Sequence, residues 1–372
     1  MPEFSLADHL LSFLIMKLFT CTNCNHPVYF ENTYCVNCSA SLGFVAQKLQ
    51  PVGLTVENNG LYSFTEKNKK TVYKYCNNYQ YNVCNWLVPA DNVTGFCIAC
   101  ELNRTIPDLD KPEFKQRWQT IEFAKHRLMY QLLRMKLPVI NKLQNEQTGL
   151  VFDFKANEPS DDNERVLTGH DNGVITINIS EADDIEREMA RKQMDEVYRT
   201  VLGHFRHEIG HYYWDRLIDN TNNLQPFRNI FGDDTIDYES ALQKHYNEGY
   251  PANWNQNYIS AYATAHPWED WAETWAHYMH IIDTLETAYS YGMSIHPLAD
   301  ESKKLHAEIN NDPYSINDFE MIFQTWLPLT FAMNSLNRSM GLKDIYPFVI
   351  SQIVKEKMKF IHNVVRKSAV QS

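Results

Sequence analysis

The sequence predicts an α+β fold, in which two small N-terminal four-cysteine modules precede a mainly helical domain with a small β-sheet. Three observations support this prediction. All eight cysteines lie in two sets within the first 100 residues, alternating apolar segments occur shortly before residue 180, and helical periodicity dominates the chain from Glu113 onward. We therefore expect four segments: an N-terminal extension (1–15), a first cysteine module (16–50), a second cysteine module (51–110) and a helical domain (111–372).

Composition and the N-terminal sequence indicate the cellular environment of the protein. The 372 residues are 44% hydrophobic and carry a formal net charge of −12. No run of apolar residues is long enough to span a membrane, and the apolar patch in "MPEFSLADHLLSFLIMKLF" lacks the basic start and the cleavage site of a signal peptide. We therefore expect a cytoplasmic protein, in which cysteines are metal ligands rather than disulfides.

The first cysteine set has the spacing of a zinc ribbon. Two C-x2-C turns are separated by ten residues, and each turn directs two thiolates toward one point. The segment is too short to bury a core of its own, so that bound metal would supply its folding free energy. The predicted ligands of a first structural zinc are Cys21, Cys24, Cys35 and Cys38.

The second set is less regular, because its first pair is spread to C-x7-C while its last pair, in "FCIAC", is C-x2-C. A second structural zinc site accounts for all four thiols. Four buried free cysteines are the alternative. The predicted ligands are Cys76, Cys84, Cys97 and Cys100.

Zinc ribbons often bind nucleic acid, but the charge of this region argues against that partner. Between Met16 and Asp110 there are seven basic and seven acidic residues. Phosphate neutralisation dominates nucleic-acid affinity, and this region has no basic stripe to provide it. We expect the modules to be structural supports or to bind a protein partner.

Between the modules and the last helices, the sequence predicts a linker, a strand and a hairpin. The linker is "LNRTIPDLDKPEF" (102–114), the strand is 149–155, and the hairpin covers 161–180 with a turn at "HDNG" that would expose His170. Ser180 is the expected N-cap of the following helical stretch, which is either one long helix or two. Helices are predicted at 113–136, 266–290, 316–337 and 346–368, with another in "DTIDYESALQKHYNEG".

The segment "VLGHFRHEIGHYYWDRL" contains H-E-x-x-H. Residues four apart lie on one face of a helix, so that His207 and His211 can ligate one ion while Glu208 holds a water beside it. A buried histidine pair is the alternative explanation. A di-iron site is excluded, because no second E-x-x-H occurs at the required spacing.

A catalytic zinc needs a third protein ligand. The metzincin continuation is absent, since Trp214 and Leu217 occupy its Gly and His positions. The best candidate segment is "SAYATAHPWEDWAETWAHYMH", where one helical stripe carries Glu269, Glu273, His277 and His280. A solvated face with incidental histidines is the alternative reading of that stripe.

These residues resemble the gluzincin metallopeptidases, in which H-E-x-x-H is followed downstream by a helical glutamate. Tyr262 and "EDWAETW" resemble the matching segments of the anthrax lethal factor and Mlc titration factor families. With "YCNNYQYNVCNWLVPADN" and "FCIACELNRTIPDL" upstream, nearly the whole chain resembles bacterial zinc-binding metallopeptidases with an N-terminal zinc-ribbon domain.

The resemblance implies a zincin-like domain with Glu269 as the third zinc ligand, although spacing alone leaves Glu273 open. It implies that Glu273 orients a ligand. It also implies that the Tyr262 hydroxyl stabilises a developing oxyanion, and that an edge strand, expected at "VITINI" (174–179), binds extended peptide.

The sequence predicts only minor roles for the remaining histidines. His204 is expected at the surface or behind the ligands. No partner is identifiable from the sequence for His126, His245, His266 or His296.

The sequence therefore predicts a zinc metallopeptidase with one catalytic and two structural zinc ions, acting on a protein or peptide substrate. Glu208 would activate the water. Two alternatives stay open: a non-catalytic zinc-ribbon adaptor that binds protein, and a nucleic-acid-binding ribbon protein.

Overall fold

A computed structural model describes residues 17–157, 166–183, 200–299 and 301–371. The expected extension, residues 1–15, lies outside the described residues, as do residues 161–165 of the predicted hairpin and most of the stretch that follows Ser180.

The N-terminal region is built of short antiparallel strands. β1 pairs with β2, and β3 to β7 form a five-stranded sheet in sequential order. These strands are β1 (Leu18–Thr20), β2 (Pro27–Tyr29), β3 (Ser41–Val45), β4 (Gln50–Val56), β5 (Tyr62–Glu66), β6 (Lys69–Tyr75) and β7 (Leu87–Pro89).

The remainder of the described chain is mainly helical. Its helices are α1 (Pro112–Arg134), α2 (Val201–Leu217), α3 (Leu224–Phe231), α4 (Tyr238–Glu248), α5 (Pro267–Ser290), α6 (Phe319–Ser339) and α7 (Gln352–Gln371). Its strands are β8 (Asn103–Thr105), β9 (Val151–Lys155), β10 (Gly169–Asp171), β11 (Val174–Asn178), β12 (Ser294–Ile295) and β13 (Ala307–Glu308). The predicted fold class, α+β with a β-rich four-cysteine region ahead of a mainly helical domain, is confirmed.

The cysteine region and the helical domain share one core. The rings of Phe30 and Phe44 pack edge-on against Tyr130 of α1, with centroids 5.5 and 6.0 Å apart. At the border of this contact, Arg127 Nε of α1 donates to Glu31 Oε1 at 2.8 Å. Residues from both regions therefore bury each other's apolar surface, and the two regions do not form independent cores.

The predicted linker 102–114 is wrong in its first part. Asn103–Thr105 forms β8, which pairs in parallel with β9 of the helical domain. Arg104 anchors the strand, because its guanidinium donates to both carboxylate oxygens of the buried Asp153, at 2.6 and 2.9 Å. The paired residues of β9 lie 48 and 49 positions further along the chain, so local sequence could not reveal this strand.

The small sheet beside the H-E-x-x-H helix has the order β10-β11-β9-β8. Its hairpin turns at Asn172-Gly173, where both residues have positive φ (45° and 79°), as a tight two-residue turn requires. β11 lies between β10 and β9, so the expectation that "VITINI" is an edge strand is wrong. The edge strand on this side is β10, antiparallel to its neighbour.

The expectation that Ser180 is a helix N-cap is wrong, and the helix that carries H-E-x-x-H has a start of its own. Ser180 belongs to a short 3-10 turn (Ile179–Ala182), and α2 starts at Val201. Thr200 is its N-cap, because Thr200 Oγ1 accepts from the backbone N–H of Gly203 at 2.9 Å.

Helices α2 and α5 cross at Gly210. A Cβ atom at this position would lie 3.1 Å from Ala272 Cα and 3.2 Å from the ring of Trp275. The indole N–H of Trp271 donates to the carbonyl oxygen of Gly210 at 2.9 Å. Glycine therefore allows the two helices to approach closely one residue before His211.

Among the residues that the structure describes, every helix is too short or too polar to cross a lipid bilayer.

We predict that Gly210→Ala lowers the free energy of unfolding by about 1 kcal/mol. The better helix propensity of alanine, at most about 1 kcal/mol, is outweighed by overpacking of about 1–3 kcal/mol against a backbone atom and a buried indole. Urea unfolding of the metal-loaded protein measures the change. Gly169→Ala is the control, because a Cβ there meets no atom within 4 Å. A Gly210→Ala protein at least as stable as the wild type would contradict the prediction.

Candidate metal centre

Three donor atoms from two helices converge beside the α2–α5 crossing. His207 and His211 lie on successive turns of α2, and their Nε2 atoms are 3.1 Å apart. Glu269, in the first turn of α5, brings its Oε2 to 3.1 Å from His207 Nε2 and 3.5 Å from His211 Nε2. Two imidazole nitrogens and one carboxylate oxygen thus form a nearly equilateral triangle.

The triangle has the dimensions that zinc requires. For tetrahedral zinc with bonds of about 2.0–2.1 Å, the distance between two ligand atoms is about 3.3 Å. The three observed separations bracket this value. Two imidazoles and one carboxylate are also a donor set that zinc prefers at open sites, so these residues fit the metal.

The two glutamates of α5 contact different sides of His207. Glu269 faces Nε2, while Glu273 Oε1 is 2.7 Å from Nδ1. Burial opposes a positive charge on His207, but hydrogen bonds and charges from the two carboxylates outweigh it and raise the pKa of the ring well above its usual range. Two carboxylates therefore favour a positive charge at this point, as the site of a divalent cation requires.

Glu208 directly follows His207 in α2. Its side chain is almost fully buried, and burial raises the pKa of its carboxyl, while the neighbouring histidines act in the opposite direction. A carboxyl group whose pKa is raised from its usual value toward neutrality is suited to proton transfer.

Two tyrosines stand near the donor triangle. Tyr262 lies in a 3-10 turn (Tyr262–Thr264) just before α5, with its ring centroid 6.1 Å from that of His207. Tyr238, in the first turn of α4, donates from its hydroxyl to Glu269 Oε1 at 2.6 Å. The sequence predicted Tyr262 and missed Tyr238, because Tyr238 lies 31 residues before Glu269 and no spacing rule connects them.

His170 is buried, contrary to the expectation of an exposed turn residue. Its side chain is 2% exposed, and burial lowers its pKa to about 3. The Nε2 atom accepts from the N–H of Gly173 at 2.9 Å, and the ring lies nearly parallel to that of His211, 6.3 Å away. The prediction failed because β10 folds its hairpin back against α2.

The rest of the α5 stripe points away from the triangle. His277 Nδ1 is 2.8 Å from the hydroxyl of Tyr346, and the ring of His280 stacks on the same tyrosine. His204 lies outside the donor triangle, with Nδ1 3.4 Å from Glu181 Oε2.

The structure provides partners for the four histidines whose partners could not be identified from the sequence. His126 lies beside Cys100, His245 contacts Thr264, and His266 is the N-cap of α5. His296 pairs with Glu308 at 2.9 Å. Three of these contacts join separate segments of the chain, which the pattern of the sequence does not show, whereas the cap contact of His266 is local, with the N–H of Trp268.

Each predicted cysteine set converges to one cluster. In the first, the sulfurs of Cys21 and Cys38 are 3.9 Å apart and those of Cys24 and Cys35 are 3.6 Å apart. Tetrahedral zinc with bonds of about 2.3 Å requires sulfur separations of about 3.8 Å. The side-chain amide of Asn23 donates to the Cys38 sulfur and lowers the pKa of that thiol to about 6.

The second cluster is fully buried. The sulfurs of Cys84 and Cys97 are 3.8 Å apart. Backbone N–H groups of Trp86 and Cys97 donate at 3.4 Å to the sulfurs of Cys84 and Cys76, and such bonds stabilise thiolates. The spacing and these donors fit a second structural zinc.

We predict that the purified protein contains about three zinc ions per chain, two resistant to chelator in the cysteine clusters and one exchangeable. His207→Ala removes the exchangeable ion, because two donors rarely retain zinc. Elemental analysis before and after dialysis against chelator provides the total and the resistant counts. The exposed His296→Ala is the control, and a count of two before chelator treatment that is the same in wild type and His207→Ala would refute the assignment.

We also predict that Tyr238→Phe weakens zinc binding at the exchangeable site by about tenfold, the lower end of the effect usual for a group that orients a ligand. Competition with a chromogenic chelator measures the dissociation constant. Tyr289→Phe is the control, since Tyr289 is 39% exposed against 37% for Tyr238 and lies at the far end of α5. Equal affinities for both variants would contradict this role.

Comparison with known proteins is consistent with this geometry. A zinc-ribbon domain model matches residues 18–111, and the family model described as "Putative zinc-binding metallo-peptidase" matches residues 114–364. Uncharacterized proteins of Mycobacterium tuberculosis and Mycobacterium bovis are 40% identical over 355 residues, which cover 95% of this chain and 96% of theirs. No solved structure matches the chain. The chain therefore belongs to the zinc-binding metallopeptidase family that these comparisons identify, with a zinc-ribbon domain ahead of the peptidase domain.

Proposed function

We propose that this protein is a zinc-dependent peptidase of the gluzincin type that hydrolyses peptide bonds in a protein or peptide substrate. The observation that carries the proposal is the donor triangle of His207, His211 and Glu269, whose edges of 3.1, 3.1 and 3.5 Å fit tetrahedral zinc. The presence of Glu208 within the same helix supports hydrolysis rather than metal storage, because a structural zinc site has no need of a buried acid beside it.

In this proposal some side chains hold the metal and its ligands, and Glu208 transfers the proton. When bound, zinc lowers the pKa of a coordinated water toward neutrality and polarises the substrate carbonyl. Glu208 accepts a proton from the attacking water and later delivers one to the leaving amine. Glu273 fixes the ring of His207 through Nδ1, and Tyr238 fixes the carboxylate of Glu269 through Oε1.

Tyr262 is the proposed donor to the developing oxyanion. Its ring lies beside His207, and burial together with the nearby charge of Glu269 raises the pKa of its hydroxyl, which therefore keeps its proton at neutral pH. A hydroxyl that stays protonated can donate a hydrogen bond when negative charge develops on the substrate oxygen.

We infer that the substrate lies along β10. This strand ends the small sheet next to α2, and it carries His170, whose ring lies against His211. An extended peptide added to its outer side would run past the donor triangle.

We predict that Glu208→Gln abolishes peptide cleavage and retains the exchangeable zinc, because the amide cannot accept a proton yet has nearly the same shape. The loss in kcat should be at least about 100-fold. Mass spectrometry of a peptide library, together with zinc analysis, gives both readouts. Glu239→Gln, an exposed glutamate of α4, is the control. If the zinc-loaded wild type cleaves no peptide near neutral pH, the adaptor function is supported instead.

We predict that Tyr262→Phe lowers kcat by about 100-fold with little change in KM, since removal of one oxyanion donor affects the transition state more than substrate binding. Steady-state kinetics on a peptide that the wild type cleaves provides both constants. A rise in KM at unchanged kcat would assign Tyr262 to substrate binding and contradict the oxyanion role.

A further inference from the structure

The second cysteine cluster has a fifth potential donor, and it comes from the peptidase domain. His126 of α1 places its Nε2 3.7 Å from the sulfur of Cys100 and 4.0 Å from the sulfur of Cys97. These separations are similar to the 3.8 Å between the sulfurs of Cys84 and Cys97. The imidazole nitrogen therefore lies about as close to two of the sulfurs as the sulfurs lie to each other.

The ring of His126 is held in the orientation that a metal ligand needs. Its Nδ1 lies 2.7 Å from the backbone carbonyl oxygen of Glu122, one helical turn earlier. A carbonyl can only accept, so Nδ1 carries the hydrogen, and when the ring is neutral its Nε2 presents a lone pair toward Cys100. A backbone carbonyl that fixes the second nitrogen is the usual support of a zinc-binding histidine.

Packing alone gives no reason for a histidine at this position. His126 is 3% exposed, and its ring packs edge-on against Trp86 at 5.2 Å. A buried ring nitrogen is costly unless it finds a partner, and the partners of Nε2 here are the two cysteine sulfurs. An apolar side chain would pack against the indole without that cost.

Zinc takes four ligands in a structural site, whereas this cluster and His126 offer five donors. We propose that His126 is a replacement ligand that takes the coordination place of Cys100 when that thiolate is lost. Zinc then stays bound by three thiolates and one imidazole, a common structural set. Cys100 is the position concerned because its sulfur, at 3.7 Å, is nearer to Nε2 than that of Cys97, at 4.0 Å.

The proposal has a consequence for the architecture. The four cysteines belong to the zinc-ribbon region, while His126 belongs to the first helix of the peptidase domain. Zinc held through His126 would tie α1 directly to the ribbon, next to the aromatic contacts that already join the two regions. This inference is independent of peptide hydrolysis, since it concerns only the cysteine cluster.

Cobalt substitution of the full-length protein tests the proposal. The intensity of the sulfur-to-cobalt charge-transfer bands reports the number of thiolates, and the ligand-field bands move to higher energy when nitrogen replaces sulfur. We expect Cys100→Ala to keep both cysteine-cluster cobalt ions, with the intensity of one thiolate lost and a shift to higher energy. The double variant Cys100→Ala/His126→Ala should bind cobalt in the second cluster at least tenfold more weakly.

Cys84→Ala is the matched control, because the described sulfur contacts of His126 Nε2 are with Cys97 and Cys100. Cys84→Ala should lose the second cobalt, and adding His126→Ala should change nothing further. The proposal is overturned if Cys100→Ala loses cobalt as readily as Cys84→Ala. It is also overturned if Cys100→Ala keeps the metal irrespective of His126, which would indicate water as the fourth ligand.

A second measurement covers the case in which the cysteine variants fail to fold. With all eight cysteines intact, His126→Ala should accelerate zinc release from the second cluster to a chromogenic chelator several-fold, because no donor can recapture the ion when Cys100 dissociates. Release from the first cluster, which has no contact with His126 in the described structure, is the internal reference. Equal release rates in wild type and His126→Ala would refute the proposal.

Discussion

The close crossing of α2 and α5 at Gly210 is the constraint on which the metal centre depends. His207 and His211 belong to one helix and Glu269 and Glu273 to the other, so the distance between the helices fixes the donor triangle. A larger residue at the crossing would push Ala272 and Trp275 away and open the triangle. The hydrogen bond from Trp271 to Gly210 holds the same contact from the other side.

Buried ion pairs then fix how the helices are turned about this contact. Arg206 of α2 pairs with Asp283 of α5, and the ammonium of Lys357 in α7 lies 2.6 Å from Asp270 of α5. Burial raises the pKa of Asp270 to about 7, and Lys357 opposes that rise. Such pairs add little net stability, because each charge loses its hydration, but a rotated helix would leave a buried charge without a partner.

The cysteine region supplies both a strand and core side chains to the peptidase domain, so its two clusters are not merely appended modules. β8 follows the second cluster directly and joins the sheet that ends in β10, while Phe30 and Phe44 bury the face of α1 around Tyr130. The position of α1 therefore depends on both regions. Since α1 also supplies Gln131, whose side chain accepts from Arg206 at 3.2 Å, the contact extends to α2, the helix of His207 and His211.

By itself the sequence determined the features that depend on fixed local spacing. Two histidines four residues apart on a helix and paired C-x2-C turns predicted candidate ligands, to which the family resemblance added Glu269, and periodicity predicted α1, α5, α6 and α7. Only the tertiary structure decided which partners meet across the chain. Tyr238 on Glu269, His170 against His211, His126 beside Cys100 and β8 beside β9 all join residues 26 to 49 positions apart. The physical reason is that a helix or turn fixes the relative positions of near neighbours through backbone geometry, whereas contacts between distant segments are selected by the packing and charge balance of the whole fold.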